Sequence, residues 1–193
     1  MRTLAIAVAA ALVLLSPARA GDEVEVDFDQ VPALHIPLGK RVVSARPAFE
    51  DYASMLFDVC DALSLEGDAC LIYPLNASLG GNAVATIFDG NRVIIYDREL
   101  SPLIGYEGAE MIIAHELAHH HCGHIGTAPD PKQELAADAL AGAAARLMGR
   151  SLDAALSAVN VLAERPSSTH PGRQARIEAI TAGWNDPEKA KDC

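Results

Sequence analysis

Residues 113–124 read "IAHELAHHHCGH" and hold five of the chain's seven histidines. The run belongs to a helix predicted from about Tyr106 to His121, and spacing sorts the histidines within it. His115 and His119 are four apart, so on a helix they stack on one face, one turn apart, and can converge on one ion. Glu116 projects about 100° away around the helix. From there it reaches a water beside that ion without ligating the ion itself. This is the H-E-x-x-H arrangement of two ligands and one general base. Zinc suits it, because imidazole nitrogen and carboxylate oxygen are good zinc donors and zinc brings no redox chemistry. A catalytic zinc also needs a third protein ligand and an open position.

The next helix, predicted from about Lys132 to Met148, offers that ligand. Its "ELAAD" places Glu134 and Asp138 four apart on one face. A loop of roughly eight residues joins the two helices, short enough to favour antiparallel neighbours. Folding that hairpin brings Glu134 opposite His115 and His119, which completes a His2Glu site. Asp138, one turn deeper, can accept the N–H of a ligating histidine and fix its tautomer. Taken alone, the two acids would read as a solvated surface; beside H-E-x-x-H at this offset they read as part of the centre.

Outward from this pair the chain alternates signals. An amphipathic helix is predicted from Pro47, in its first turn, to about Leu65. Phe49, Tyr52, Leu56, Val59 and Leu63 recur in it, and Phe49, Tyr52 and Phe57 are expected in the core. "DEVEVDF" alternates like a short strand, and Pro32 and Pro37 break the segment after it. "CLIYPL" is a brief strand. "NAVATIFDGNRVIIYD" is two β-rich runs around Asp89-Gly90-Asn91, a hairpin signal. A third helix is expected over about Ser151–Glu164, a turn at "RPSSTHPG", and a last helix over about Gly172–Trp184 before a mobile charged tail. Trp184 is expected in the core and His35 to be structural. The order is helix, small antiparallel sheet, helical bundle: a single α+β domain over residues 21–193.

"STHPGRQARI" adds His170, held between Thr169 and Pro171, with Arg176 at a fixed distance beyond. Together, "HELAH", Glu134-x-x-x-Asp138, "STHP" with "RI" after four residues, and "NAVA" resemble the gluzincin metallopeptidases. The likeness is to the CAAX prenyl proteases, the HtpX-like membrane proteases and their soluble periplasmic relatives. It covers about residues 82–177 and implies a zincin-like domain whose active-site edge strand belongs to a sheet packed on helices. It implies one zinc per chain on His115, His119 and Glu134, with Glu116 as base. It further implies that His170 stabilises an oxyanion, that Arg176 pairs with a carboxylate such as Asp138, and that Asn82, Ala83, Val84 and Ala85 bind an extended peptide by strand addition. His124 recurs in the soluble members. This chain departs from the pattern in its short interval between the metal-binding helices and in having no transmembrane helices around them.

The implied activity is zinc-dependent hydrolysis of peptide bonds in exported or misfolded polypeptides. The alternative is a zincin-fold chaperone or binding module with weak hydrolysis. A second alternative gives His120, His121, Cys122 and His124 a metal of their own. The formal charge of −11, from 26 acidic against 15 basic residues, argues against nucleic acid and anionic membranes as partners. "MRTLAIAVAAALVLLSPARA" pairs an early Arg2 with an apolar run from Leu4 to Leu15 and a small-residue end, a signal peptide cut near Ala20. That run is too short to span about 30 Å of hydrocarbon. The expected location is periplasmic or secreted, where Cys60, Cys70, Cys122 and Cys193 can form two disulfides. Cys60 and Cys70 are the nearest pair and would tie a helix to the strand after it. Cys122 fits a buried thiol, a bridge or a metal ligand.

Overall fold

The computed structural model describes residues 31–48, 51–128, 130–162 and 164–193. The signal peptide, the "DEVEVDF" strand and Phe49 lie outside the described residues. The described chain is α+β. Its strands are β1 (Leu34–Leu38), β2 (Arg41–Pro47), β3 (Tyr73–Asn76), β4 (Ala83–Phe88) and β5 (Asn91–Tyr96). Its helices are α1 (Asp51–Ala62), α2 (Leu100–His121), α3 (Pro131–Leu147), α4 (Leu152–Ala155), α5 (Arg173–Asn185) and α6 (Pro187–Ala190). No described helix is long and apolar enough to cross a membrane.

The sheet order is β1-β2-β3-β5-β4. The β4–β5 hairpin turns at Asp89 and Gly90, both with positive φ (49° and 76°), as the Asp-Gly signal requires. The sheet is not purely antiparallel, as the sequence suggested, because β3 pairs with β5 in parallel. The loop after β3 crosses the end of β5 and delivers β4 to the outer edge. Asp97, just past β5, holds that loop: its carboxylate accepts the N–H groups of Leu79 (2.6 Å) and Gly81 (3.1 Å), and its own N–H donates to the Asn82 carbonyl.

Pro32 lies before the first strand, but Pro37 does not break the chain into coil. Residues 34–47 form a hairpin turning at Gly39, with φ of 59°. Pro37 sits opposite Val42 on the edge strand, where a missing N–H is tolerated. Pro47 ends β2 opposite Leu75 instead of opening a helix, and the Ala48 N–H continues the pairing to the Pro74 carbonyl. Helix α1 is described from Asp51. It buries Tyr52, Leu56 and Val59, and Leu63 just past its end is buried too, but Phe57 is 54% exposed on the opposite face, not in the core. His35 is exposed on β1.

Alternation divides the sheet between two clusters. Ala83, Ala85, Ile94 and Tyr96 face the helices, in the main core with Ile113, Leu117 and Leu140. Leu75, Val93 and Ile95 face the other way, onto Ile36 and Ala45. Helix α2 carries a break at Gly105 (φ 77°, ψ 168°), so its long segment starts where the sequence suggested. The third helix does not form at its expected length. After one turn of α4 the chain tightens into a 3-10 segment, Ser157–Val161, and the Ser157 hydroxyl donates to the Ala154 carbonyl. Arg173 takes the Leu162 and Asn160 carbonyls at its end, satisfying groups that a longer helix would have bonded internally.

Helices α3 and α5 meet at Gly142 and Gly183. A Cβ on Gly183 would lie 1.8 Å from the Ala139 carbonyl oxygen, and one on Gly142 would lie 2.1 Å from that of Ile180. Alanine normally stabilises a helix by about 1 kcal/mol over glycine. Here overlap with backbone reverses the sign, and Gly183→Ala should lose about 1–3 kcal/mol or more in a denaturant melt. A melt equal to that of the wild type would refute this close packing.

The tail is tied to the domain. Helix α6 forms, and Cys193 bridges to Cys122, while Cys60 bridges to Cys70. Trp184 is half-buried, donating to the Arg150 carbonyl with the Arg146 guanidinium over its ring.

Candidate metal centre

Helices α2 and α3 lie side by side, and their start and end signals set the depth of each ligand. The Asp130 side chain caps α3 by accepting the Lys132 N–H, and Pro131 takes the first helical position. That fixes Glu134 in the first turn. His115 and His119 approach it from α2. The distances are 3.1 Å between the two Nε2 atoms, 3.4 Å from His115 Nε2 to Glu134 Oε2 and 3.5 Å from His119 Nε2 to Glu134 Oε1. Ligands held about 2.0–2.1 Å from a tetrahedral ion stand about 3.3 Å from one another. The two imidazoles face different oxygens of Glu134, each near that spacing, and one ligand atom from each residue lies within 4.8 Å of the others, so His115, His119 and Glu134 could hold a metal ion. Among the described residues they form the one such group of histidine, cysteine and carboxylate side chains.

Asp138, 2% exposed, lies behind His115, with Oδ1 3.0 Å from Nδ1 of the ring. Arg176 from α5 grips the same carboxylate with two hydrogen bonds of 2.7 Å, from Nε to Oδ2 and from Nη2 to Oδ1. In the metal-free centre these groups share charge unevenly. Burial disfavours a charged His115, but the hydrogen bonds it donates to the Asp138 and Glu134 carboxylates outweigh it and push its pKa up to about 10. Burial and the charged His115 push His119 down to about 4. Burial works to raise Asp138 and Glu134, yet both stay below the usual carboxylate range, Asp138 through Arg176 and His115, Glu134 through His115. One imidazole of the pair thus carries a proton that a metal must displace.

Glu116 stands apart from the ligand triangle. Its Oε2 accepts the Ala85 N–H at 2.6 Å, which ties it to the edge strand β4. Burial pushes its pKa up, against the pull of His115 and the Ala85 N–H. Asn82, Ala83, Val84 and Ala85 line the same cavity of about 700 Å³ as the three ligands. His170 closes the other side. Its Nε2 is 3.9 Å from Glu134 Oε2, its Nδ1 is 2.8 Å from the Thr169 hydroxyl, and the side chain is 58% exposed.

The remaining histidines diverge. His120 is buried and donates from Nε2 to the Val93 carbonyl (2.9 Å), joining α2 to β5. His121 Nε2 lies 3.3 Å from the Lys191 carbonyl, and Cys122 is in a disulfide. The run therefore builds no second ion site among the described residues. His124 does have a partner that its spacing alone did not disclose: its Nδ1 is 3.0 Å from His119 Nδ1. Gly123 is the signal that reveals it. Gly123 has φ of 69°, its N–H reaches the His120 carbonyl, and the His124 N–H reaches the His119 carbonyl. This is a Schellman helix end, which folds the residue after the glycine back onto the last turn. The Ala85–Glu116 bond, between residues far apart in sequence, had no such signal.

No family model, curated protein or solved structure matches the chain.

Proposed function

We propose that this protein is a zinc-dependent endopeptidase with a zincin-like domain, acting on extended segments of exported or misfolded polypeptides. The observation that carries this reading is the ligand triangle with a separate carboxylate, Glu116, bonded to the free sheet edge beside it. Two imidazoles and a carboxylate at tetrahedral spacing suit zinc. When bound, zinc supplies a Lewis acid and brings the pKa of a bound water to about 7.

The chain's own residues do the rest. A peptide added to the outer edge of β4 runs past Glu116, because that carboxylate already meets the strand at Ala85. Glu116 takes the proton from the attacking water and returns it to the leaving amine. His170, across the cavity, donates to the carbonyl oxygen as it gains charge. Asp138 and Arg176 hold the His115 ring and keep its proton on Nδ1. The cavity is apolar towards the start of α2, where Met111, Ala155, Val159 and Ile180 line it, and polar past His119, where Thr127, Asp130 and Gln133 do. An apolar substrate side chain fits the first end. Two disulfides are compatible with a periplasmic or secreted location.

The test is cleavage of casein or a quenched peptide by purified protein containing one zinc per chain. Cleavage should stop with chelator and return with zinc. Glu134→Ala should lose the metal. Unchanged zinc content in that variant would remove Glu134 from the centre, and cleavage in excess chelator would end the metal reading.

A further inference from the structure

The two ligating histidines are supported differently. His115 leans on a carboxylate that Arg176 clamps. Among the described residues no carboxylate is bonded to His119 Nδ1; its partner is the Nδ1 of another imidazole, His124, at 3.0 Å. The rings meet edge to face, with centroids 5.2 Å apart.

We propose that His124 is the positioning residue for His119, accepting its Nδ1–H and holding the ring so that Nε2 stays on the ion. The inference rests on the metal centre described above. A histidine that binds through Nε2 keeps its proton on Nδ1. Only one proton fits between two nitrogens 3.0 Å apart, so His124 Nδ1 offers a lone pair and its proton sits on Nε2.

The backbone prepares this contact. The Schellman end brings residue 124 over residue 119, where an apolar pair usually meets. The loop is pinned on both sides of His124. Cys122 is bridged to Cys193, and the Thr127 hydroxyl donates to the His124 carbonyl at 2.7 Å. Gln133, next to the ligand Glu134, donates from Nε2 to the same Thr127 hydroxyl (3.0 Å). His124, Thr127 and Gln133 thus link the second ligand to the third. His124 is not itself in the group that converges for a metal.

The experiment measures zinc affinity of the full protein by competition with a chromogenic chelator, and the melting temperature of each metal-free form. His124→Ala and His124→Phe should weaken zinc binding about 10- to 100-fold, the usual cost of losing a partner behind a ligating histidine. His124→Asn, whose side-chain oxygen can accept the same proton, should recover most of that loss. Metal-free melting temperatures should stay together, since the lost bond matters to the ligand more than to the fold. Wild-type affinity in His124→Phe would overturn the proposal, because ring shape would suffice. So would an Asn variant no better than Ala. If the wild type binds zinc and all three variants match it, this inference fails alone. If the wild type binds none, the metal reading fails and takes it along.

Discussion

Glu116→Gln is expected to retain zinc at wild-type stoichiometry and to lose about 10²- to 10⁴-fold in kcat/KM on a quenched peptide, the usual contribution of a positioned general base. The side chain keeps its size, and the amide oxygen can still accept the Ala85 N–H, so the edge strand stays where it is. None of the three ligand contacts involves Glu116, so the triangle is untouched. Only the ability to take a proton is lost. Metal analysis and a rate measurement on the same preparation separate the two effects. A variant that cleaves at the wild-type rate would sink the assignment of Glu116. The same variant also tests the chaperone alternative: suppression of a client's aggregation at the wild-type level, by a chain in which neither form cleaves, would favour a binding module.

The group that could hold a metal was legible because its members come from two neighbouring helices joined by a short loop. Helical spacing of His115, His119, Glu134 and Asp138, plus a hairpin, is enough to bring them together. Arg176 was legible only through a resemblance of motifs, since it reaches Asp138 from a helix whose packing no local pattern dictates. The β4–β5 hairpin was written in its Asp-Gly turn. Elsewhere local signals gave way to tertiary ones. Pro37 read as a breaker and Pro47 as the first turn of a helix, yet one sits in an edge strand and the other ends a strand. The parallel β3–β5 pairing depends on how Asp97 holds a loop, which no periodicity encodes. The "SLDAALSAVNVLAE" segment has helical composition, but Ser157 and Arg173 bond its carbonyls and shorten the helix. The charged tail looked free because its anchor, Cys122, lies 71 residues away in sequence.

The largest stability effect should come from Arg176→Met. Asp138 is almost wholly buried, and its carboxylate receives two 2.7 Å hydrogen bonds from that guanidinium. Taking away one partner of a buried pair leaves Asp138 with His115 alone to answer its charge, and breaking such a pair costs up to about 3–5 kcal/mol. For a chain of this size that lowers the melting temperature by about 6–20 °C. The melt belongs in chelator, so that metal linkage does not mask the loss. His115 still faces Asp138 there, which tempers the effect but does not replace the two-pronged clamp. Arg176→Lys should fall between, because a single ammonium cannot bond both oxygens in the same geometry. Adding Asp138→Asn to Arg176→Met removes the stranded charge and should restore part of the stability. It should not restore zinc affinity, since His115 then loses the carboxylate behind it. Stability and metal binding would thus part company in the double variant, which a purely structural ion pair does not predict. A single Arg176→Met variant melting within about 2 °C of wild type, less than 1 kcal/mol, would show that Asp138 does not depend on Arg176.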